Sequence, residues 1–397
     1  MRNDMMNFPI SKRMASFQES VFAELAQIKN SKLSDGIPMI DLSIGSPDLP
    51  PPSFITDELA KSSLNPDLYG YSLTGTNEFH SAVCDYYKSN FGVPLDPDSE
   101  VLLLMGSQDG LVHLPMVLCD PDDYILVPDP GYTAYAAGAG MAGAQMYSMP
   151  LKKENKFLPD LGGIPEEILL KTKLMILNFP GNPVPAMATE EFYLQAICLA
   201  KKYNFVIVHD FAYSELYYEH KPLSFLSVEG AMEVGLEMNS LSKSFNMAGC
   251  RVAYAAGNNQ LITMLAKFKS NLDYGVFLPV QAAASKALRD QSGFLNSLRD
   301  IYRTRRDVLV DGLNEIGWNV SKPEGSMFLW AEVPAPYMSK EFAIELINRA
   351  NVVVTPGNAF GSWGEGYVRI ALVQPEKVLK QAVSNIGQSG ILKKVLA

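Results

Sequence analysis

The sequence predicts an α/β protein: a large domain with a mostly parallel sheet covered by helices, plus a smaller α+β domain. Short runs rich in Val, Ile and Leu recur between helical patterns from residue 101 to 256. Continuous apolar runs of this kind mark strands buried on both faces beneath helices. A helical stretch follows at about 258–316, and strands then alternate with one helix up to the C-terminus. The chain has 397 residues, 47% of them hydrophobic, which exceeds what one compact core usually holds.

The strands expected in the large sheet are VLLLM at 101–105, YILVP at 124–128, KLMILN at 173–178 and FVIVH at 205–209. Two more, VGLEMNS at 234–240 and RVAYAA at 251–256, bracket the loop LSKSFNMAGC. Sites in such folds lie where strands end. The stretch from Pro130 to Leu151 has no charged residue but is built of Ala, Gly and Tyr with a proline near each end. It therefore reads as a buried helix and its turns, not as a membrane span. The charged run SLRDIYRTRRD at 297–307 reads as a solvated helix face. MFLWAEV, a helix from about Lys340 to Ala350, NVVVTP and YVRIALV form the smaller unit. The N-terminal segment packs with that unit, because 40 residues alone build no core. The expected division is a large domain at 47–288 and a small one at 1–46 and 289–397.

Composition excludes several functions. Thirty-three Lys and Arg against 43 Asp and Glu leave a net charge of -10, so nothing attracts nucleic acid or anionic lipid in general. An anionic ligand must be held locally. Four cysteines, at 84, 119, 198 and 250, make neither a CxxC motif nor a disulfide framework, and point to a reducing cytoplasm. The N-terminus, MRNDMMNFPISKRMASF, has no continuous apolar run and does not read as a secretory signal. The histidines, at 80, 113, 209 and 220, show no metal spacing, so no catalytic metal is expected.

Four motifs remain. In Ser240-Leu-Ser-Lys-Ser-Phe-Asn-Met-Ala-Gly-Cys-Arg251 a lysine stands among serines just past a strand, with an arginine eight residues on. Hydroxyls and a guanidinium suit a phosphate, and a lysine amine can form a Schiff base; alone, such a stretch is more often a polar loop with an exposed lysine. Asp210, at the end of FVIVH, is either a loop cap or the partner of a cation such as a protonated pyridine nitrogen. Its neighbour His209 reads as a packing residue. Gly106-Ser107-Gln108 is an ordinary strand-to-helix turn capped by Ser107, or an anion site made of backbone amides. Asn178-Phe-Pro-Gly-Asn182-Pro183 is a rigid turn that can orient side-chain amides.

Two matches mislead. GxGxxG occurs at Gly138, Gly140 and Gly143, but inside an Ala-rich helical stretch instead of between a strand and a helix. Ser240 to Lys243 satisfies S-x-x-K, yet no KTG accompanies it.

Taken together, the chain resembles the fold type I pyridoxal-phosphate enzymes, specifically the class I/II aminotransferases. The motifs that carry the resemblance occur in the family's order: LSIGSPD at 42–48, GTNEF at 75–79, GSQ at 106–108, DPGY at 129–132, NFPGNP at 178–183, DFAY at 210–213, SLSK at 240–243, GCR at 249–251 and VRIAL at 368–372. The resemblance implies pyridoxal 5′-phosphate as cofactor, held by a Schiff base to Lys243, which then moves a proton between the substrate Cα and the cofactor C4′. It implies that Asp210 pairs with the pyridine nitrogen, Tyr213 and Asn182 bond the phenolic oxygen, and Tyr132 stacks on the ring. The phosphate is implied to lie against the amides of Ser107 and Gln108, the hydroxyls of Ser240 and Ser242, and Arg251. Arg369, supported by backbone near Gly45, matches the arginine that takes the substrate α-carboxylate.

The same resemblance implies ping-pong transfer of an amino group from an L-amino acid to a 2-oxo acid, by a homodimer with shared sites. A tyrosine reaching the partner's phosphate normally precedes the GTNEF-type motif; here Gly70 holds that register, and either Tyr69 or Tyr71 can serve. The usual NPTG-like continuation reads Asn182-Pro-Val-Pro185, which implies a turn of different shape. Asn271 to Phe277 and the overall spacing are most similar to bacterial aspartate-type and LL-diaminopimelate-type aminotransferases. A β-eliminating C–S lyase on the same scaffold shares every named residue and is the alternative function. A non-catalytic pyridoxal-phosphate regulator is disfavoured, because the fold takes up the whole acidic chain.

Overall fold

The computed structural model describes residues 10–11, 14 and 21–392. Most of the stretch read for a secretory signal lies outside the described residues. The strands, in chain order, are β1 (Ile40–Asp41), β2 (Val101–Leu104), β3 (Tyr124–Asp129), β4 (Gln145–Pro150), β5 (Thr172–Leu177), β6 (Val206–Asp210), β7 (Gly235–Ser240), β8 (Ala253–Gly257), β9 (Phe328–Glu332), β10 (Val352–Val353), β11 (Thr355–Pro356) and β12 (Tyr367–Ala371). Seven form one sheet in the order β2-β8-β7-β6-β5-β3-β4. The pairs from β4 through β3, β5 and β6 to β7 are parallel, and only β8 runs against its neighbours. The α/β fold with a mostly parallel sheet is the one predicted.

Every residue of β2, β7 and β8 is buried. Leu103, Met175, Leu177 and Ile207 pack on one face of the sheet, and Leu104, Leu174, Ile176 and Val208 on the other. This follows from the alternation of side chains along a strand. A third core gathers Leu309, Phe328, Leu346, Val352 and Leu379 around the three-stranded sheet β11-β12-β9 and its helices. β1 lies parallel to β10, which joins the N-terminal segment to this third core.

Two expectations are corrected. The stretch from Pro130 to Leu151 is not all helix and turns: the Thr133–Ala142 helix ends at Gly143, whose φ is +73°, and β4 follows at the sheet edge. Gln145 and Met146 are exposed there and Tyr147 is only partly covered, so the continuous apolar run that marks a buried strand is missing. The run SLRDIYRTRRD is a solvated face only in part: Ser297, Asp300 and Thr304 are exposed, but its arginines largely are not. In the Phe294–Glu315 helix, Arg305 and Arg306 are each 4% exposed. Arg305 holds Asp48 through two bonds of 2.7 and 2.8 Å, and Arg306 holds Glu219 at 2.8 Å. Arg299 likewise reaches Glu215 at 2.8 Å. These partners are 84 to 257 residues distant in sequence, which no local charge pattern reveals.

β3, β5, β6 and β7 run parallel, and β2 runs in the same direction across the reversed β8. Their C-terminal ends therefore open on one side, where Asp129, Asn178, Asp210, Ser240 and the turn after Leu104 gather. Among the described residues no helix is long and apolar enough to cross a membrane.

Candidate active site

A cavity of 380 Å³ lies over those strand ends and reaches the β12 sheet. Its wall brings together Gly45, Ser107, Gln108, Tyr132, Asn182, Asp210, Tyr213, Ser240, Ser242, Lys243, Arg251 and Arg369. Tyr69 and Tyr71 are not part of it. They stand 63% and 85% exposed on the surface, with Tyr69 against Phe277 and Tyr71 against Tyr274 at centroid distances of 5.1 and 4.9 Å.

One end of the cavity is built for an anion. β2 runs into Gly106, whose φ of +85° caps the Ser107–Leu118 helix, so Ser107 opens the helix and is not itself the cap. A Cβ at Gly106 would stand 2.3 Å from Nη2 of Arg251; glycine alone lets the guanidinium lie against this backbone. The Ser240 hydroxyl donates to Ser242 Oγ at 2.9 Å and accepts from the Ser242 amide at 3.1 Å. That contact turns the chain from β7 into the one-turn helix Leu241–Ser244. Arg251 Nη1 donates to Ala248 O at 3.1 Å, and no ion pair joins Arg251 to a carboxylate among the described residues.

The Leu241–Ser244 turn carries Lys243 into the middle of the cavity, where Nζ donates to Gly45 O at 2.6 Å. Burial, with Arg369 and Arg251 adding like charge, pulls its pKa down to about 8 against the opposing pull of Asp210. A neutral amine is then abundant at physiological pH, as nucleophilic or proton-transfer work requires.

Asp210, the last residue of β6, is 5% exposed. Its Oδ2 accepts from Tyr135 Oη at 2.9 Å, and Oδ1 from the Ala212 amide at 3.4 Å. Burial raises its pKa despite these bonds, and no cation pairs with it among the described residues. A buried carboxylate without a cation is costly. Tyr213 lies beside it, its phenol pushed far up by burial. Tyr132 donates to Gln108 Oε1 at 3.0 Å, and burial raises its pKa too.

At the other end, β12 presents Arg369, which is 4% exposed. Nη1 donates to Asn182 Oδ1 at 2.7 Å and Nη2 to Ser43 O at 2.6 Å. Its guanidinium also lies 4.3 Å from the Phe328 ring centre. Burial lowers its pKa to about 10, and Nε is buried without a hydrogen-bond partner. The altered continuation after Asn182 leaves that residue in the site: Gly181 N donates to Val184 O at 3.1 Å and the Asn182 amide to Asn178 Oδ1 at 2.8 Å, closing the turn.

Sequence reasoning missed four contributors. Tyr135 bonds Asp210 from the middle of an Ala-rich helix, and Asn178 Nδ2 donates to Asp210 O at 2.7 Å. Ser43 takes its bond from Arg369 through its backbone, which no side-chain motif records. Asp129, within the quoted DPGY, accepts from Ser362 Oγ at 3.0 Å and the Trp363 amide at 3.1 Å, fastening the 357–364 loop over the site. His209 is fully buried between Glu237 and the carbonyl of Phe179 and serves the core.

The cavity thus offers a cation without an acid, a carboxylate without a base, a half-buried lysine and a second arginine. That donor set fits pyridoxal 5′-phosphate together with an amino acid. Fold and site define a pyridoxal-phosphate-dependent enzyme of fold type I.

The chain belongs to the aminotransferase class I and II family, whose model matches residues 37–386. It is a pyridoxal-phosphate-dependent aminotransferase, with amino acids and 2-oxo acids as its small-molecule substrates. It is 42% identical over 385 residues to LL-diaminopimelate aminotransferase of Oleidesulfovibrio alaskensis, covering 96% of this chain and 99% of the relative. With the LL-diaminopimelate aminotransferase of Aquifex aeolicus it shares 43% over 381 residues, covering 96% and 98%. Among solved structures, substrate-bound BacF from Bacillus subtilis superposes with a TM-score of 0.93 at 38% identity, covering 96% and 98% of the two chains. An aminotransferase from Staphylococcus aureus gives 0.89 at 34%, covering 96% and 100%. These aminotransferase relatives speak against the lyase alternative.

Proposed function

We propose that this aminotransferase takes LL-diaminopimelate as amino donor and works through the residues gathered at the strand ends. The donor is inferred from the names of the relatives quoted, which align over nearly the whole chain. The observation that carries the residue roles is Lys243, its amine shifted toward neutrality between Asp210 and two arginines in one cavity.

When bound, the cofactor supplies an electron sink for charge developing at the substrate Cα. Lys243 would hold the cofactor at its aldehyde carbon and, as a free amine, would move the proton at the substrate Cα. Asp210 would keep the pyridine nitrogen protonated, and Tyr135 holds that carboxylate in place. Asn182 and Tyr213 would bond the phenolic oxygen, and Tyr132 would cover the ring. Arg251, the hydroxyls of Ser240 and Ser242, and the amides of Ser107 and Gln108 grip the phosphate. Arg369 receives the α-carboxylate in a bidentate pair, with Gly45 and Asn182 beside it.

We further infer a cytoplasmic homodimer in which Tyr69 or Tyr71 completes the neighbour's site, and a division into domains 47–288 and 1–46 plus 289–397. Four free cysteines suit a reducing compartment. Tyr69, Tyr71, Leu272, Tyr274 and Phe277 leave a large apolar surface exposed on one chain, as an unassembled subunit does.

The test is twofold. Borohydride reduction of the holoenzyme followed by peptide mapping is expected to tag Lys243; a tag on another lysine refutes the assignment. LL-diaminopimelate, offered beside aspartate and aromatic donors, is expected to bleach the bound cofactor with the highest kcat/KM. A better aspartate or aromatic donor overturns the substrate reading alone.

A further inference from the structure

Behind the phosphate end of the cavity lies a buried charge cluster that none of these roles uses. Lys269 ends the Asn259–Lys269 helix, and its side chain is 1% exposed. Its ammonium pairs with Asp109 and, at 2.7 Å, with Asp273. Asp109 sits in the first turn of the Ser107–Leu118 helix. Its Oδ2 also accepts from the Met105 amide at 2.8 Å, and its Oδ1 lies 2.6 Å from His113 Nδ1. Gln108 and Arg251 line the catalytic cavity and also the cleft on its far side that holds Asp109 and Asp273. The cluster is therefore one wall away from the anion site.

A carboxylate in a first helical turn stabilises the helix, but it repels an anion bound at the same helix end. Burial pushes the Asp109 carboxyl up, yet His113 and Lys269 bring it below its usual value, so it is ionised at neutral pH. In such partly buried surroundings salt screens little. Lys269 is the cation placed to cancel this charge. It also reaches the other way. Asp273 Oδ1 accepts from the Gly275 amide at 2.9 Å. Gly275 has φ +83°, and a Cβ there would stand 1.7 Å from Ser72 O. Ser72 N in turn donates to Tyr274 O at 3.3 Å. The turn that sets Tyr274 against Tyr71 is thereby tied to the helix end.

We propose that Lys269 is a positioning residue for the cofactor: it neutralises Asp109 behind the phosphate-binding helix end. The inference rests on the phosphate site at Ser107, Gln108 and Arg251 proposed above.

The full-length chain, stripped of cofactor and shown folded by circular dichroism, is titrated with pyridoxal 5′-phosphate and with pyridoxal, which lacks the phosphate. Lys269→Met is expected to weaken pyridoxal 5′-phosphate about tenfold or more while pyridoxal changes less than about twofold, since unlike-charge neutralisation acts on the phosphate alone. Lys269→Met/Asp109→Asn is expected to recover most of the loss. Equal losses for both ligands, or no recovery in the folded double variant, overturn the proposal. Asp273→Asn leaves Lys269 wholly to Asp109 and is expected to bind pyridoxal 5′-phosphate at least as tightly as the parent. Weaker binding there overturns the proposal even if Lys269→Met does not fold. Arg251→Gln separates the two readings: if it too fails to discriminate the two ligands, the phosphate placement itself is wrong.

Discussion

Tyr135 donates its hydroxyl to Asp210 Oδ2 at 2.9 Å, both side chains lying inside the molecule. The bond opposes the burial that raises the Asp210 pKa. In the role proposed for it Asp210 must be ionised to hold a protonated ring nitrogen, so activity is expected to fall as pH drops through its pKa. Tyr135→Phe removes a donor to the charged form and raises that pKa further. The acid limb of kcat is expected to move to higher pH, with a loss of about 1.5–3 kcal/mol at the bond. A pH–rate profile superimposable on the parent's would remove Tyr135 from this role.

Lys243 in the cofactor-free chain is expected to titrate near pH 8, where burial and the two arginines set it. Its depressed folded-state pKa means that the folded chain binds fewer protons than the unfolded chain between about pH 8 and the ordinary lysine value of about 10.4. The stability contribution of this group therefore rises with pH across that window. Amine labelling against pH, read at the Lys243 peptide, checks the value; half-maximal labelling above pH 10 contradicts it.

Arg369→Ala is expected to cut kcat/KM for every active amino acid by about 2–5 kcal/mol, as for other buried charge pairs that lose one partner. Cofactor content should stay intact, because Arg369 and Arg251 stand at opposite ends of the cavity. Steady-state kinetics and cofactor absorbance measure the two separately.

Arg305→Ala tests the corrected helix. Removing the guanidinium strands Asp48 beside a buried surface, and the stability loss is expected at about 3–5 kcal/mol. Denaturant titration reads it. A change under about 0.5 kcal/mol, the range of an ordinary surface substitution, would restore the solvated reading.

The shared-site model predicts complementation. Lys243→Ala and Tyr69→Phe/Tyr71→Phe chains, each impaired alone, are expected to regain activity on co-refolding, because one site of each hybrid then carries neither defect. Hybrids isolated by differential tags that remain inactive rule the model out.

What the sequence made legible is what strand ends carry. Asp210, Ser240 and the turn at Gly106 each follow a continuous apolar run, so their common location follows from the parallel sheet alone. β4 escaped because an edge strand need not be apolar on both faces. Arg305 and Arg306 were misread because a buried arginine has the same local spelling as an exposed one, and only the distant Asp48 and Glu219 distinguish them. Tyr135 was hidden by its helix: nothing in TAYAAGAG says that its tyrosine faces a carboxylate. Lys269 and Asp109, 160 residues apart, had no shared motif at all.

The contact between Arg369 and Ser43 spans 326 residues, while Ser107, Asp210, Lys243 and Arg251 all fall within the first two thirds of the chain. On the roles proposed, a polypeptide emerging from the ribosome completes its cofactor-gripping half well before the residue that would read the substrate's carboxylate has been made. Ligand capture can stabilise the nascent large sheet by mass action, and substrate competence arrives last.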